Sequence, residues 1–170
     1  MKNSPRWAIL APIVIAAVLV STAVYTQPAR GRRVSVAATS PAVVSAWNDV
    51  LAQMERAGDL RTTCVEDDLQ VPGRRFERLQ QSYKGVPIWG ADIVRETDGA
   101  SVRSVFGKLH NDLDLNTVPG ITGDQAKSVI AEVFGLTDTS GTEPVLVVLP
   151  TDDGRYALAW QALSLIHISE

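Results

Sequence analysis

The sequence predicts an α+β fold in which an antiparallel sheet is covered on one face by two helices, and the element order allows two small lobes after an N-terminal export segment. Three observations support this prediction. Two segments have the apolar period of a one-sided helix, the runs between and after them have strand composition, and turn residues separate those runs. With 170 residues, the chain is long enough for one compact domain or two small ones.

The N-terminus has the organisation of an export signal. Lys2 and Arg6 precede an apolar run over residues 7–20, and small residues follow. The alternative is an uncleaved membrane anchor, but the run is shorter than the roughly 20 residues that a spanning helix needs. We therefore predict a signal peptide over residues 1–23, cleavage after Ala23, and a secreted protein that meets the membrane only through this signal.

Residues 24–39 are small, polar and basic and show no clear period, so we predict a leader or linker. A later cleavage site near Ala37 or Ala38 is an alternative. Basic residues cluster here, but such a cluster just past a signal is more typical of a flexible mature N-terminus than of a nucleic-acid site. With a net charge of -3, the sequence predicts no nucleic-acid partner. The cluster consists of Arg30, Arg32 and Arg33.

The first helix is predicted between a start signal and a stop signal. Ser40 is a favourable N-cap, Pro41 suits the first helical position, and Gly58 suits the end. An apolar stripe at helical spacing indicates a face that packs on a core. The stripe consists of Val43, Val44, Trp47, Val50, Leu51 and Met54.

The pattern then changes to strands. Residues 74–83, 88–96 and 101–109 are predicted to form successive antiparallel strands, the second and third joined across Asp98-Gly99. Gly107 interrupts the third strand and predicts a bulge.

A second helix and a hairpin follow. Thr122 and Gln125 have the spacing of a capping box, and apolar residues at helical spacing continue to Gly135. Strands are predicted over residues 145–149 and 155–161, on either side of a polar turn.

Residues 78–90 carry the most informative segment of the chain. Lys84-Gly85 predicts a tight turn, since Gly takes positive φ without steric cost. Pro87 lacks a backbone N–H and is therefore expected at a strand start, an edge or a bulge. Gly90 predicts a second bend or a close approach of backbone.

The same segment resembles the core of the fungalysin/thermolysin propeptide family. The pattern is Arg, apolar, Gln-Gln, Ser, Tyr, any residue, Gly, aliphatic, Pro, aliphatic, aromatic, Gly. We assign residues 40–115 to a propeptide-like domain and residues 116–162, whose helix, loop and hairpin resemble a PepSY module, to a truncated second segment. The residues that carry the resemblance, for fold or interface, are Arg78, Gln80, Gln81, Tyr83, Gly85, Pro87, Trp89 and Gly90.

The resemblance implies a pro-region of a secreted zinc metallopeptidase, acting as its intramolecular inhibitor and folding assistant. The partner would be the cognate peptidase domain in cis. Zinc, with calcium as a further option, is expected only in that peptidase domain, so we predict no cofactor in this part. Tyr83, Trp89 and Trp160 are candidate interface residues because large amphipathic side chains are enriched at interface centres, although core packing explains them equally well.

The residues favour no enzyme in this part of the chain. Of the two histidines, His167 lies in residues 163–170, which match the translation of a DNA-sequencing adaptor and are treated as foreign sequence. His110 is then alone beside polar residues, and we predict a surface or strand-end residue. Neither a catalytic nor a metal-binding residue is assigned, because a zinc site needs more ligands.

A single cysteine, Cys64, leaves two options: a partner outside this sequence, or the favoured free, partly buried thiol. An alternative function is a free-standing exported binding or inhibitor module that acts in trans on a protease. A long continuation with His-Glu-x-x-His downstream of Ala162 would favour the precursor, and an early stop would favour the module.

Overall fold

A computed structural model describes residues 29–135 and 143–162 of the chain. The predicted signal peptide, the predicted adaptor sequence and His167 lie outside these residues. Among the described residues, no helix is both long and apolar enough to cross a bilayer. The elements in chain order are β1 (Ala29–Arg30), β2 (Arg32–Ala38), α1 (Pro41–Ala57), β3 (Leu60–Asp67), β4 (Arg74–Tyr83), β5 (Val86–Asp98), β6 (Ser101–Asn111), α2 (Gly123–Phe134), β7 (Val145–Pro150) and β8 (Arg155–Gln161).

The described residues fall into two compact units. The larger unit holds residues 29–120 and 146–159, and the smaller holds 121–135, 143–145 and 160–162. The α+β class predicted from the sequence is confirmed.

The main sheet of the larger unit is antiparallel, with strand order β2-β6-β5-β4-β3. Its strands β4, β5 and β6 are those predicted from the sequence, with β5 and β6 slightly longer than expected. One face of this sheet carries the first apolar core, where α1 packs through Val44 and Leu51. The sheet contributes to this core Val36, Ala38, Leu60, Leu79, Ile93, Val105 and Leu109.

Helix α1 forms between the predicted start and stop signals. Ser40 has extended backbone at the N-cap, Pro41 opens the helix, and Gly58 ends it with φ of 81°. The N–H groups of Gly58 and Asp59 bond to the last carbonyls of the helix, at 3.1 and 2.9 Å. Because a left-handed residue lets those carbonyls find partners, glycine is the natural residue at this end.

An ion network fastens α1 to the sheet. Nε of Arg95 on β5 donates to Glu77 on β4 at 2.6 Å, and its Nη1 lies 3.3 Å from a carboxylate oxygen of Glu55 on α1. The Arg95 side chain is only 14% exposed, so this pairing is screened less than a surface ion pair. The guanidinium thereby bridges two carboxylates that would otherwise repel each other.

The prediction of a leader or linker over residues 24–39 is wrong for residues 32–38. Residues Arg32–Ala38 form β2, which pairs with β6 from Arg32↔Asn111 to Ala38↔Val105. Val36 and Ala38 are buried, and the alternation with Val34 is the period-two pattern of a half-buried strand. Arg32 and Arg33 therefore lie on a paired strand, not in a leader.

The predicted bulge at Gly107 is also wrong. Gly107 pairs regularly with Val36 on one side and Ile93 on the other, and the register of β5 and β6 shifts instead between Glu96 and Thr97. Glycine is needed at 107 because a Cβ atom there would meet the backbone of β5.

A second group of strands in the larger unit carries a second core. Strand β8 pairs with β1, β7 lies beside β8, and β7 meets β5 in a parallel pair at Ile88↔Val148. The buried residues here are Ile88, Ala91, Val148 and Tyr156.

The smaller unit is organised around α2. The predicted capping box is present: Oγ1 of Thr122 accepts from the N–H of Gln125 at 3.2 Å, and Oε1 of Gln125 accepts from the N–H of Thr122 at 2.8 Å. Gly135 ends the helix with φ of 62°. Trp160 is half-buried, and its Nε1 donates to the carbonyl of Ile121 at 3.1 Å.

Candidate functional site

The candidate site is the β4–β5 hairpin with the irregular start of β5. The turn holds Lys84 at φ of 49° and Gly85 at φ of 82°. Two consecutive residues with positive φ make the two-residue turn whose twist matches that of paired strands. The turn predicted at these residues is confirmed.

Strand β5 leaves the ladder soon after this turn. Ser82 pairs with Pro87, but the next regular pair is Gln80↔Asp92. Residues 88–91 of β5 therefore lie opposite the single residue Gln81 of β4. Gly90 sits in this bulge at φ of 69°, with no atom within 4 Å of the place a Cβ would take, so the backbone conformation alone favours glycine. Pro87 lies at the strand start, as predicted.

The Gln80 side chain hydrogen-bonds to the backbone at both ends of the bulge. Its Nε2 donates to the carbonyl of Ile88 at 2.8 Å and to that of Ala91 at 3.2 Å. These are the two ends of the bulged stretch, whose carbonyls have left the regular ladder with β4. The amide therefore replaces part of the strand pairing that the bulge removes.

The Gln81 side chain hydrogen-bonds to the backbone of β6. Its Nε2 donates to the carbonyl of His110 at 2.7 Å, and its Oε1 accepts from the N–H of His110 at 2.8 Å. The regular β5–β6 pairing reaches only to Ile93↔Gly107, so β5 offers no partner there. Gln81 is 5% exposed and stands in for the missing strand residue.

The bulge exposes an aromatic side chain. Ile88 and Ala91 are fully buried at either end, whereas Trp89 between them is 37% exposed and belongs to neither apolar core. Because Trp is enriched among the residues that carry the binding energy of interfaces, Trp89 is a candidate binding anchor.

The other candidate interface residues are placed differently. Tyr83 is half-buried against the second core, and Nζ of Lys84 lies 4.9 Å from the centre of its ring. Trp160 belongs to the smaller unit, where Ile121 accepts its indole hydrogen bond. Arg78 is exposed on the sheet face opposite α1, in a row with Val94 and Phe106.

His110 agrees only in part with the prediction of a surface or strand-end residue. The residue is at the end of β6 as predicted, but it is 4% exposed and not at the surface. Its Nδ1 lies 2.7 Å from the hydroxyl of Tyr156, and the two rings meet edge to face. Burial lowers the pKa of His110 below its ordinary value, and the nearby cations Arg33 and Lys108 lower it further. The period-two pattern of β6 gives no signal for this burial, since it places Leu109 on the buried face and His110 on the other face with Phe106 and Lys108, which are exposed.

Cys64 also differs from expectation. The favoured partly buried thiol is wrong, because Cys64 is exposed on β3, a strand that pairs only with β4 among the described strands. Within residues 29–135 and 143–162, no group of three or more His, Cys, Asp and Glu side chains is arranged to hold a metal ion.

Comparison with known proteins gives one match. Residues 65–109 match the family model described as Fungalysin/Thermolysin Propeptide Motif. No curated protein and no solved structure matches the chain. The match includes every motif residue from Arg78 to Gly90 and stops before residues 116–162, where the PepSY-like segment stays a prediction. The matched residues 65–109 run from the end of β3 through the bulged hairpin into β6, so the similarity to the fungalysin/thermolysin propeptide motif includes the hairpin and its bulge.

Proposed function

We propose that this chain is the pro-region of a secreted thermolysin-type zinc metallopeptidase, and that it inhibits the peptidase domain in cis and assists its folding. The observation that carries the proposal is the propeptide motif over residues 65–109, together with the bulged hairpin that its glutamines hold. Propeptide motifs are not catalytic elements, so catalysis and zinc are assigned to the peptidase domain. Calcium, where present, would bind there too.

The physical basis of both roles is preferential binding. A pro-region that binds the folded peptidase but not its unfolded chain stabilises the folded state by mass action. Covalent attachment raises the effective concentration to about millimolar, so a modest interface keeps the enzyme covered until the linkage is cleaved. Export through the N-terminal signal would deliver both parts together.

We assign the central contact to Trp89. Among the three candidate aromatics, Tyr83 packs on a core and Trp160 is bonded within the smaller unit. Trp89 combines exposure with a backbone fixed by Gln80 and by the buried neighbours Ile88 and Ala91. A fixed backbone lowers the entropy lost when the indole is buried by a partner.

Replacing Trp89 with alanine is expected to weaken inhibition of the cognate peptidase by at least about 30-fold, the loss of an interface anchor worth about 2 kcal/mol. The variant should keep the circular dichroism of the parent, because the side chain lies outside both cores. The measurement is the inhibition constant of the purified chain added to the peptidase.

Phe76→Ala is the matched control. Phe76 is 36% exposed, much like Trp89, but lies on β4 away from the bulge, so its replacement should leave inhibition nearly unchanged. Equal losses for the two variants would refute the assignment of Trp89. No inhibition by the parent chain would refute the proposed function itself.

The second candidate function is a free-standing exported inhibitor module that acts in trans. The propeptide motif is equally compatible with it, since the contact surface would be the same. The two functions differ in the coding sequence after Ala162, where only the precursor requires a peptidase domain.

A further inference from the structure

The His110–Tyr156 pair joins two parts of the larger unit. His110 is the penultimate residue of β6 in the main sheet, and Tyr156 belongs to β8 of the second group of strands. The hydroxyl and Nδ1 are 2.7 Å apart, the ring centres are 5.4 Å apart, and both residues are buried. The pair therefore provides a buried polar contact between β6 and β8.

The surroundings leave these two rings little room to move. Gln81 fixes the backbone of His110 through both its N–H and its carbonyl. A Cβ atom on Gly31 would lie 2.5 Å from Cε2 of Tyr156, so that ring packs directly on the backbone between β1 and β2. Leu113 packs against the same cluster. Neither ring is free to turn towards water while the strands stay in place.

The charges around His110 disfavour a second positive charge. Its neighbours on β2 and β6 include the cations Arg33 and Lys108, and both lower its pKa. The contacting groups from β4 and β8, Gln81 and Tyr156, are uncharged. At the surface near these elements, Asp112 pairs with Arg32 and Asp153 pairs with Arg155.

We propose that the His110–Tyr156 pair is a pH-sensitive latch that holds β8 against the end of β6 at neutral pH and releases it in acid. In the neutral pair, Nδ1 and the Tyr156 hydroxyl share one hydrogen bond whose donor is set by the imidazole tautomer, whereas an imidazolium carries hydrogen on both ring nitrogens and can only donate. Acid therefore leaves Nδ1 able only to donate to the Tyr156 hydroxyl oxygen, and it places a buried cation beside Arg33 and Lys108. Opening β8 lets water solvate that charge.

The direction of the pH effect follows from the lowered pKa of His110. Below the ordinary value of 6.5, the unfolded chain binds a proton at this residue that the folded chain does not bind. Stability from the neutral pair is therefore complete above that pH and is lost as the pH falls towards the lowered pKa of the folded state. The unfolded-state value of 6.5 limits the fall in the folding equilibrium constant to at most about tenfold by about pH 5.5.

The first test measures urea unfolding of the chain between about pH 7.5 and 5.5, a range that isolates histidine from carboxylate titration. The parent should lose stability as the pH falls, and His110→Asn, which keeps a polar group near the position of Nδ1 without titrating, should lose much less. His167→Gln is the control for the only other histidine and should behave as the parent. Equal pH dependence of parent and His110→Asn would overturn the proposal.

The second test works on the folded parent, so it holds even if His110→Asn folds poorly. Amide hydrogen exchange at the lower pH, corrected for the intrinsic rate, should speed up in β8 while α1 and β4 stay protected. Uniform loss of protection, or none in β8, would refute a local latch. Neither test involves a peptidase, so their outcome is independent of the proposed function. If both proposals hold, acid would weaken the binding of the pro-region to the peptidase domain.

Discussion

Replacing Gly107 with alanine is expected to prevent the chain from folding. The residue has φ of 146°, and an added Cβ would lie 2.1 Å from the carbonyl oxygen of Asp92 and 2.9 Å from Cα of Ile93. Both obstacles are backbone atoms of the paired strand, so relief requires β5 and β6 to separate. We expect a loss of more than about 4 kcal/mol, measured by circular dichroism and urea unfolding.

Gly90→Ala is the matched control for this prediction. Gly90 also has positive φ, at 69°, but nothing lies within 4 Å of its added Cβ. The cost is then the left-handed backbone alone, roughly 1–2 kcal/mol. A Gly107→Ala protein as stable as the Gly90→Ala protein would show that β5 and β6 do not approach each other at this point.

Replacing Gln81 with leucine is expected to produce the second large effect. The leucine side chain is similar in size to the buried glutamine that it replaces, but the backbone N–H and carbonyl of His110 both lose their hydrogen-bond partner. Each buried polar group left unpaired costs about 1–3 kcal/mol, so the free energy of unfolding should drop by roughly 2–6 kcal/mol. Urea unfolding at neutral pH measures this loss.

Gln80→Leu tests whether the effect belongs to Gln81 or to any glutamine of the motif. Gln80 is only half-buried, so water can reach the carbonyls that it releases, and we expect a loss of about 1 kcal/mol. Equal losses at the two positions would contradict the account of Gln81 as the substitute for a missing strand residue. The two consecutive glutamines bind different strands: Gln80 hydrogen-bonds to the backbone of β5 and Gln81 to the backbone of β6.

The elements with local signals were predictable from the sequence. Ser40 and Gly58 bound α1, Thr122 and Gln125 open α2, and Lys84-Gly85 makes the hairpin turn, because caps and turns depend on residues a few positions apart. Strand β2 was missed although Val34, Val36 and Ala38 alternate, since the basic residues around them suggested a leader. Strand β3 has no buried residue after Leu60 and therefore shows no period.

The candidate site depended on long-range register and was only partly predictable. Pro87 and Gly90 indicated an irregular strand start, but not that residues 88–91 would lie opposite one residue of β4. The bond between Gln81 and His110 joins residues far apart in the chain, so no local pattern announces it. The burial of His110 and the exposure of Trp89 follow from that register.

Sequencing the source DNA across and beyond the codon for Ala162 tests the central claim most directly. The account predicts that native coding sequence replaces residues 163–170 and continues in frame into a domain with His-Glu-x-x-His and a downstream Glu ligand. A stop codon soon after β8 would contradict the assignment as a pro-region in cis and would leave an independent exported module instead.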